Sequence, residues 1–160
     1  MRLATLGLSL AITLALPFSA HAGVDWTSCG ACGTIDNGSQ SYYAYSNDGV
    51  TFNSSSVYSI EARYNVVDVA GSNSPGWGTL EIGYDTANGT GDSISATLWS
   101  VVPSTNNETS ICTATSSASS RTSTCTFTGL DFSTKIYYVW VTISRSTFQE
   151  YPTLDTLRIY

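Results

Sequence analysis

The chain has 160 residues, a formal net charge of −6 and a hydrophobic content of 42%. Its six Lys and Arg against twelve Asp and Glu cannot neutralise a run of phosphates, which argues against nucleic acid and anionic membranes as partners. The hydrophobic share is enough for a packed core and argues against disorder, and the length suits a single domain.

Residues 1–22 predict a secretory signal peptide. They combine a basic start at Arg2, an uncharged apolar run over residues 3–16 and small residues at Ala20 and Ala22, which are the parts of an export signal. The apolar run is shorter than the roughly 20 residues that span a bilayer, so we expect no transmembrane segment. The sequence predicts a secreted, extracellular protein (periplasmic or on the cell surface in a bacterial host) that begins near Gly23.

Residues 23–40 form an N-terminal segment rich in Cys and Gly, and the chain holds four cysteines in all. An even number of cysteines in an oxidising compartment predicts structural disulfides. Cys112 and Cys125 lie in two strand-like runs, and folding these as a hairpin sets the two residues opposite each other at bridging distance. Cys29 and Cys32 would then pair with each other, since a redox or zinc role lacks its surrounding βαβ pattern or further ligands.

Residues 41–160 predict one all-β domain. Short alternating runs are separated by clusters of Gly, Asn, Asp, Ser and Pro, which is typical of strands and turns. The predicted strands are 41–46, 57–67, 78–84, 92–102, 110–115, 122–128, 135–144 and 153–160. About eight strands at this spacing predict an antiparallel two-sheet β-sandwich, jelly-roll or immunoglobulin-like, that is stapled by disulfides.

The connection from Asp85 to Asp92 is the candidate metal site. Asp85, Asn88 and Asp92 present carboxylate and amide oxygens on a Gly-rich loop, and calcium prefers such hard ligands. The spacing does not match the EF-hand pattern. The alternative is an ordinary hairpin loop whose Asp and Asn side chains bond their own backbone. Calcium is therefore the one cofactor that the sequence suggests.

Four aromatic residues are candidates for ligand binding. The run 135–144 is apolar on both faces, with Tyr138 and Trp140 on the second face, and Trp99 takes the same position in the run 92–102. Trp77 lies just before a predicted strand. These rings either pack beneath a covering loop or form an exposed platform.

The sequence gives little support for catalysis. His21 is the single histidine, and it would be removed when the predicted leader is cleaved. The mature part then lacks Ser-His-Asp and Cys-His arrangements as well as imidazole metal ligands. A glycosidase would instead need two carboxyl groups roughly 5–9.5 Å apart. The acids that could supply such a pair are Glu61, Glu81, Asp85, Glu108 and Glu150.

The sequence favours a secreted, non-catalytic binding module whose ligand is a polysaccharide or a surface glycan. Its aromatic rings would lie against sugar faces. One alternative is a structural or adhesive cell-surface subunit whose edge strands pair with neighbouring copies. A second is a small secreted hydrolase that acts on glycosides. Exposure of the aromatic rings distinguishes the first hypothesis from the others, and the oligomeric state stays open.

Overall fold

The structure is a computed structural model that describes residues 24–47, 49–53, 58–85 and 91–160. The predicted leader, 1–22, lies outside the described residues. Within them the chain forms eleven strands. The strands are β1 (Trp26–Cys29), β2 (Thr34–Ile35), β3 (Tyr43–Ser46), β4 (Gly49–Phe52), β5 (Ser59–Val66), β6 (Thr79–Asp85), β7 (Ser93–Val102), β8 (Asn107–Thr115), β9 (Thr122–Thr126), β10 (Ile136–Ser144) and β11 (Thr153–Ile159).

The strands form two antiparallel sheets. The first sheet has the order β3-β4-β11-β6-β9, and β1 pairs with β11 off this path. The second sheet has the order β2-β5-β10-β7-β8. The predicted all-β, two-sheet sandwich is confirmed, and each of the eight predicted strands overlaps an observed one. In the described ranges, no helix is long and apolar enough to cross a membrane.

The core lies between the two sheets because alternate residues of each strand point inward. In β5, Ile60, Ala62 and Tyr64 are buried while their neighbours are not. The same alternation buries Val139 and Val141 of β10 completely. Each sheet therefore has one face in the core and turns the other toward solvent, as expected for antiparallel sheets with one buried side.

A β-bulge interrupts this alternation in β11. The register with β6 shifts between Leu154 and Thr156, so that Asp155 is the extra residue of the bulge. Leu154 and Leu157 are both buried although they are three positions apart. Because of the bulge, alternate side chains at the end of β11 point into the core.

The N-terminal segment is part of the sandwich, because it contributes β1 to the first sheet and β2 to the second. Between them, a 3-10 turn over Gly30–Cys32 is closed by the predicted Cys29–Cys32 disulfide. The buried Tyr64 hydroxyl donates a hydrogen bond of 2.5 Å to the Gly30 carbonyl oxygen. The turn is therefore attached directly to the core.

The Cys112–Cys125 disulfide also forms, with a Cα–Cα distance of 5.9 Å, but the predicted hairpin around it is wrong. β8 pairs with β7 in the second sheet, and β9 pairs with β6 in the first. The connection 116–121 passes from one sheet to the other, and the Tyr84 hydroxyl accepts a hydrogen bond of 2.8 Å from the Ser117 amide. The disulfide consequently joins edge strands of opposite sheets.

Candidate functional site

Three aromatic side chains lie together on the outer face of the second sheet: Trp99 of β7, and Tyr138 and Trp140 of β10. Tyr138 is directly opposite Trp99 in the strand register. The rings point outward because the intervening residues, Leu98 and Val139, are completely buried and successive side chains alternate. All three are half-buried and lie outside the core cluster. We call these three residues the aromatic surface.

The Trp99 and Tyr138 rings are held nearly parallel. Their centroids are 6.4 Å apart and their planes differ by 7°. β7 and β10 are inner strands, each with a hydrogen-bonded neighbour on both sides. Side chains on such strands are placed more rigidly than those on loops. The aromatic surface is therefore preformed.

An arginine packs on the third ring. The Arg63 guanidinium carbon lies 4.3 Å from the centroid of the Trp140 ring, which is a cation–π arrangement. Arg63 also forms a 3.3 Å ion pair with Asp36. One face of Trp140 is thus covered, and the indole is fixed at the border of the aromatic surface.

Polar groups border the rings as well. The Tyr138 hydroxyl contacts the Glu108 side chain. Burial is the main cause that raises the pKa of Tyr138, and the charge and hydrogen bond of Glu108 raise it further. The Thr97 and Thr113 hydroxyls, next to Trp140, lie 2.9 Å apart. Flat apolar rings beside a few fixed hydrogen-bonding groups are typical of small-ligand sites.

The structure places Trp77 in the core and away from the aromatic surface. Its side chain is 2% exposed, and its Nε1–H donates a 3.2 Å hydrogen bond to the Val24 carbonyl oxygen. The ring packs edge-on against Phe132 with a centroid distance of 6.0 Å. Trp77 therefore stabilises the fold.

Of the three predicted calcium ligands, the structure describes Asp85 and Asp92, which have different partners. Asp85 forms a 3.3 Å ion pair with Arg121, in which both side chains are exposed. Asn88 lies outside the described residues. Asp92 is different, because both its carboxyl oxygens are buried.

Sequence reasoning missed the partner of Asp92, which is Glu150. Glu150 is 8% exposed, and its Oε2 atom is also buried. Burial, and then the hydrogen bond and charge of Glu150, raise the pKa of Asp92 to about 7. Because the two acids are far apart in the chain, no local sequence pattern indicates that they meet.

Arg145 completes this buried cluster. It is 3% exposed, and its Nη1 atom donates a 3.1 Å hydrogen bond to the Glu150 carbonyl oxygen. Its guanidinium carbon lies 4.2 Å from the Phe52 ring centroid and 5.3 Å from that of Tyr151. Across residues 24–160, apart from the gaps given above, no group of three His, Cys, Asp or Glu converges on a metal position.

The acids considered for hydrolysis lie on different parts of the molecule. Glu61 is opposite Thr142 in the second sheet, whereas Glu81 is opposite Arg158 in the first. Glu108 borders the aromatic surface. Asp92 and Glu150, which do meet, have carboxyl oxygens closed off from solvent.

A concave region lies on the first sheet. A groove of about 490 Å³ is lined by Cys29, Glu81, Arg158 and their neighbours. Arg158 is ion-paired with Asp25, and its guanidinium carbon lies 4.5 Å from the Tyr160 ring centroid. The groove lacks the parallel ring pair of the aromatic surface, so it is the weaker candidate.

Comparison with known proteins identifies solved structures that have a similar fold. No family model and no curated protein matches the chain. Among solved structures, the chain is similar to the CBM36-1 domain of a multidomain xylanase from the hindgut metagenome of Trinervitermes trinervoides, with 14% identity and a TM-score of 0.51 over 86% of this chain and 97% of that one. It is also similar to a carbohydrate-binding module CBM36 in complex with calcium and xylotriose, with 8% identity and a TM-score of 0.50 over 84% of this chain and 99% of that one. At these identities the likeness establishes a shared β-sandwich fold.

Proposed function

We propose that the protein is a secreted, non-catalytic carbohydrate-binding module that binds polysaccharide through the aromatic surface. The observation that carries the proposal is the outward-facing, nearly parallel pair of Trp99 and Tyr138 on two inner strands. The C–H groups on a sugar face are apolar and pack on the electron-rich face of an aromatic ring. Glu108 and Arg63 are positioned at the border to bond the sugar hydroxyls.

The fold neighbours support this proposal and suggest the first ligand to test. Both are described as carbohydrate-binding modules, one from a xylanase and one bound to xylotriose. Fold by itself does not imply function, so the aromatic surface is what supports carbohydrate binding. Xylan is the natural starting polysaccharide.

The placement of the acids supports binding without catalysis. A glycosidase needs its two carboxyl groups to face the scissile bond from either side. Glu61 and Glu81 lie in opposite sheets, and the Asp92–Glu150 pair is shut off from solvent. The two disulfides fit an oxidising, extracellular location, as does the predicted leader.

The proposal is tested by measuring the affinity of the mature protein for xylan and for a panel of other plant polysaccharides. We expect Trp99→Ala and Tyr138→Ala each to weaken binding by about tenfold or more, since about 1.4 kcal/mol corresponds to a factor of ten. The control is Tyr45→Ala, which removes an aromatic side chain that is 51% exposed in the first sheet. It should leave affinity unchanged.

The possible results test separately whether the protein binds polysaccharide and where on the protein the binding site lies. Failure of the folded wild-type protein to bind any polysaccharide contradicts the function. Binding that survives Trp99→Ala and Tyr138→Ala but is lost in Glu81→Ala moves the site to the groove on the first sheet. Circular dichroism of each variant confirms that the fold is retained.

A further inference from the structure

The outer face of the second sheet continues beyond the aromatic surface along β7 and β10. Thr142 and Ser95 lie opposite each other in the strand register, one row beyond Trp140. Both point outward, because Val141 and Ile94 are completely buried and successive strand side chains alternate. Neither Thr142 nor Ser95 is buried. We call Thr142 and Ser95 the hydroxyl pair.

The hydroxyl groups of this pair are free to bind a ligand. In the ranges that the structure describes, neither forms a hydrogen bond within the protein. By contrast, the Thr97 and Thr113 hydroxyls of one neighbouring row lie 2.9 Å apart. Those of Ser59 and Ser144 in the other neighbouring row lie 2.8 Å apart. A hydroxyl can donate one hydrogen bond and accept two, so the hydroxyl pair can bond the hydroxyl groups of a sugar.

The aromatic surface and the hydroxyl pair form one continuous strip along two strands, which we call the binding strip. Tyr138, Trp140 and Thr142 are successive outward residues of β10, and two residues of a strand advance about 6.6 Å. The binding strip is therefore roughly 13 Å long between Tyr138 and Thr142. β7 and β10 each have a hydrogen-bonded neighbour on both sides, so their side chains hold a defined spacing.

The register also fixes the direction in which a bound chain finds hydrogen-bonding partners on these two strands. The next pair on the opposite side of the rings is Ile136 and Val101, whose aliphatic side chains carry no donor or acceptor. Across the strands, toward β5, Arg63 covers one face of Trp140. A sugar chain that lies on the rings therefore finds its further partners on β7 and β10 toward the hydroxyl pair.

Two acids border the binding strip. Glu61 lies opposite Thr142 on β5, and Glu108 contacts the Tyr138 hydroxyl. The nearby cation, Arg63, is already in an ion pair. A carboxylate on a sugar would face like charges here, and like charges repel. Repulsion of one class of ligand contributes to specificity, so the binding strip favours uncharged sugars.

We propose that the binding strip takes an internal stretch of an uncharged, linear polysaccharide that runs along β7 and β10. The rings lie against the faces of some sugars, and the hydroxyl pair bonds the hydroxyl groups of others further along the chain. This inference rests on the proposed function and specifies its ligand. Among the described residues, the strip lies on the face of a sheet and is not enclosed, so the chain can continue past both of its ends.

NMR titration, which also measures weak binding, compares two ligands: xylobiose, short enough to lie on the rings alone, and xylohexaose, which reaches the hydroxyl pair. Thr142→Val removes the hydroxyl and keeps the side-chain shape. It should weaken xylohexaose binding roughly three- to tenfold, the scale of one hydrogen bond, and leave xylobiose binding unchanged. Thr124→Val is the matched control, because Thr124 is an exposed threonine on β9 of the first sheet. It should change neither affinity.

Internal binding is tested by counting the protein molecules bound per xylan chain, a number that should increase with chain length. A constant number would mean that the site takes chain ends. Wild-type affinity of Thr142→Val for xylohexaose would mean that the rings act alone. Either result overturns the inference, whereas loss of binding in Trp99→Ala still supports the proposed function. Failure of the folded wild-type protein to bind any polysaccharide contradicts the proposed function itself.

The charge preference is tested with xylan that carries uronic acids and with the same polymer after its carboxyl groups are reduced to alcohols. At low ionic strength the reduced polymer should bind several-fold more tightly, and high salt should remove the difference because it screens charges. Glu61→Gln should make the difference smaller. Equal or tighter binding of the acidic polymer would overturn the assignment to uncharged polysaccharides.

Discussion

At the scale of single residues, Gly30 is the position with the least freedom to change. It is buried in the turn between β1 and β2. A side-chain carbon placed there would lie 1.9 Å from the Leu154 carbonyl oxygen and 3.2 Å from the Gly49 Cα atom. Both contacts are with backbone, which cannot rotate away as a flexible side chain can. Glycine is therefore required here by close approach of three chain segments.

We expect Gly30→Ala to lower the free energy of unfolding by about 3 kcal/mol, at the upper end of the cost of overpacking a core. Urea unfolding followed by tryptophan fluorescence measures the change. Gly38→Ala is the control, since nothing lies within 4 Å of a carbon added at Gly38. Equal stability of the two variants would show that the backbone around Gly30 moves freely.

Arg63 illustrates how a residue outside the aromatic surface positions one within it. It lies on the Trp140 ring and is anchored by Asp36. We expect Asp36→Ala to lower polysaccharide affinity by a few-fold, within the 0.5–1 kcal/mol or so of an exposed cation–π contact. The unfolding temperature should scarcely change, because exposed ion pairs contribute little to stability. An affinity equal to that of the wild type would assign Arg63 a structural role only.

At the scale of elements, the two disulfides constrain the chain differently. Cys112–Cys125 joins β8 to β9 across the two sheets with a sequence separation of 13, whereas Cys29–Cys32 closes a single turn with a separation of 3. A disulfide stabilises largely by restricting the unfolded chain, and more so when its loop is longer. The bond between the sheets is therefore the more important one.

Replacing Cys112 and Cys125 by Ala should cost about 3 kcal/mol, and replacing Cys29 and Cys32 about 2 kcal/mol, on the loop-entropy relation. Urea titration of both double variants under oxidising conditions gives the comparison. A larger loss for the Cys29–Cys32 variant would mean that the turn beside Gly30 contributes more through packing than through chain entropy.

At the scale of the whole molecule, the aromatic surface and the Asp92–Glu150 pair lie far apart. Trp99 lies seven residues from Asp92 along the extended β7 strand, which is about 23 Å at 3.3 Å per residue. Effects of mutations at this distance usually add. The aromatic surface uses an outer sheet face, whereas the acid pair uses one end of the sandwich.

The Trp99→Ala/Asp92→Asn double variant should therefore show the sum of the single effects, within about 0.5 kcal/mol. Xylan affinity should equal that of Trp99→Ala, and Asp92→Asn should change the unfolding temperature by the same amount in the Trp99→Ala background as in the wild type. Affinity titrations and thermal unfolding of the four proteins complete the cycle. A coupling energy well above that figure would show that the buried acid pair affects the aromatic surface.

Local alternation in the sequence was sufficient to predict eight strands and to place Trp99, Tyr138 and Trp140 on the second face of their strands, but it left open whether a loop covers that face. It works because successive strand residues point to opposite faces whatever the neighbouring strand is. Both cysteine pairs were predicted correctly, although the hairpin from which the Cys112–Cys125 pair was derived does not form. Short strands such as β2 and β4 were not predicted, because two to four residues are too few to show a periodic pattern.

Only the tertiary structure decided which strands are neighbours. β8 and β9 are adjacent in the chain, yet each pairs with a strand of a different sheet, and the disulfide spans the gap that a hairpin would have closed. The burial of Trp77 and the contact between Asp92 and Glu150 were likewise decided only by the tertiary structure. They depend on contacts between distant segments, and no local pattern encodes those contacts, since they exist only once the two sheets have packed together.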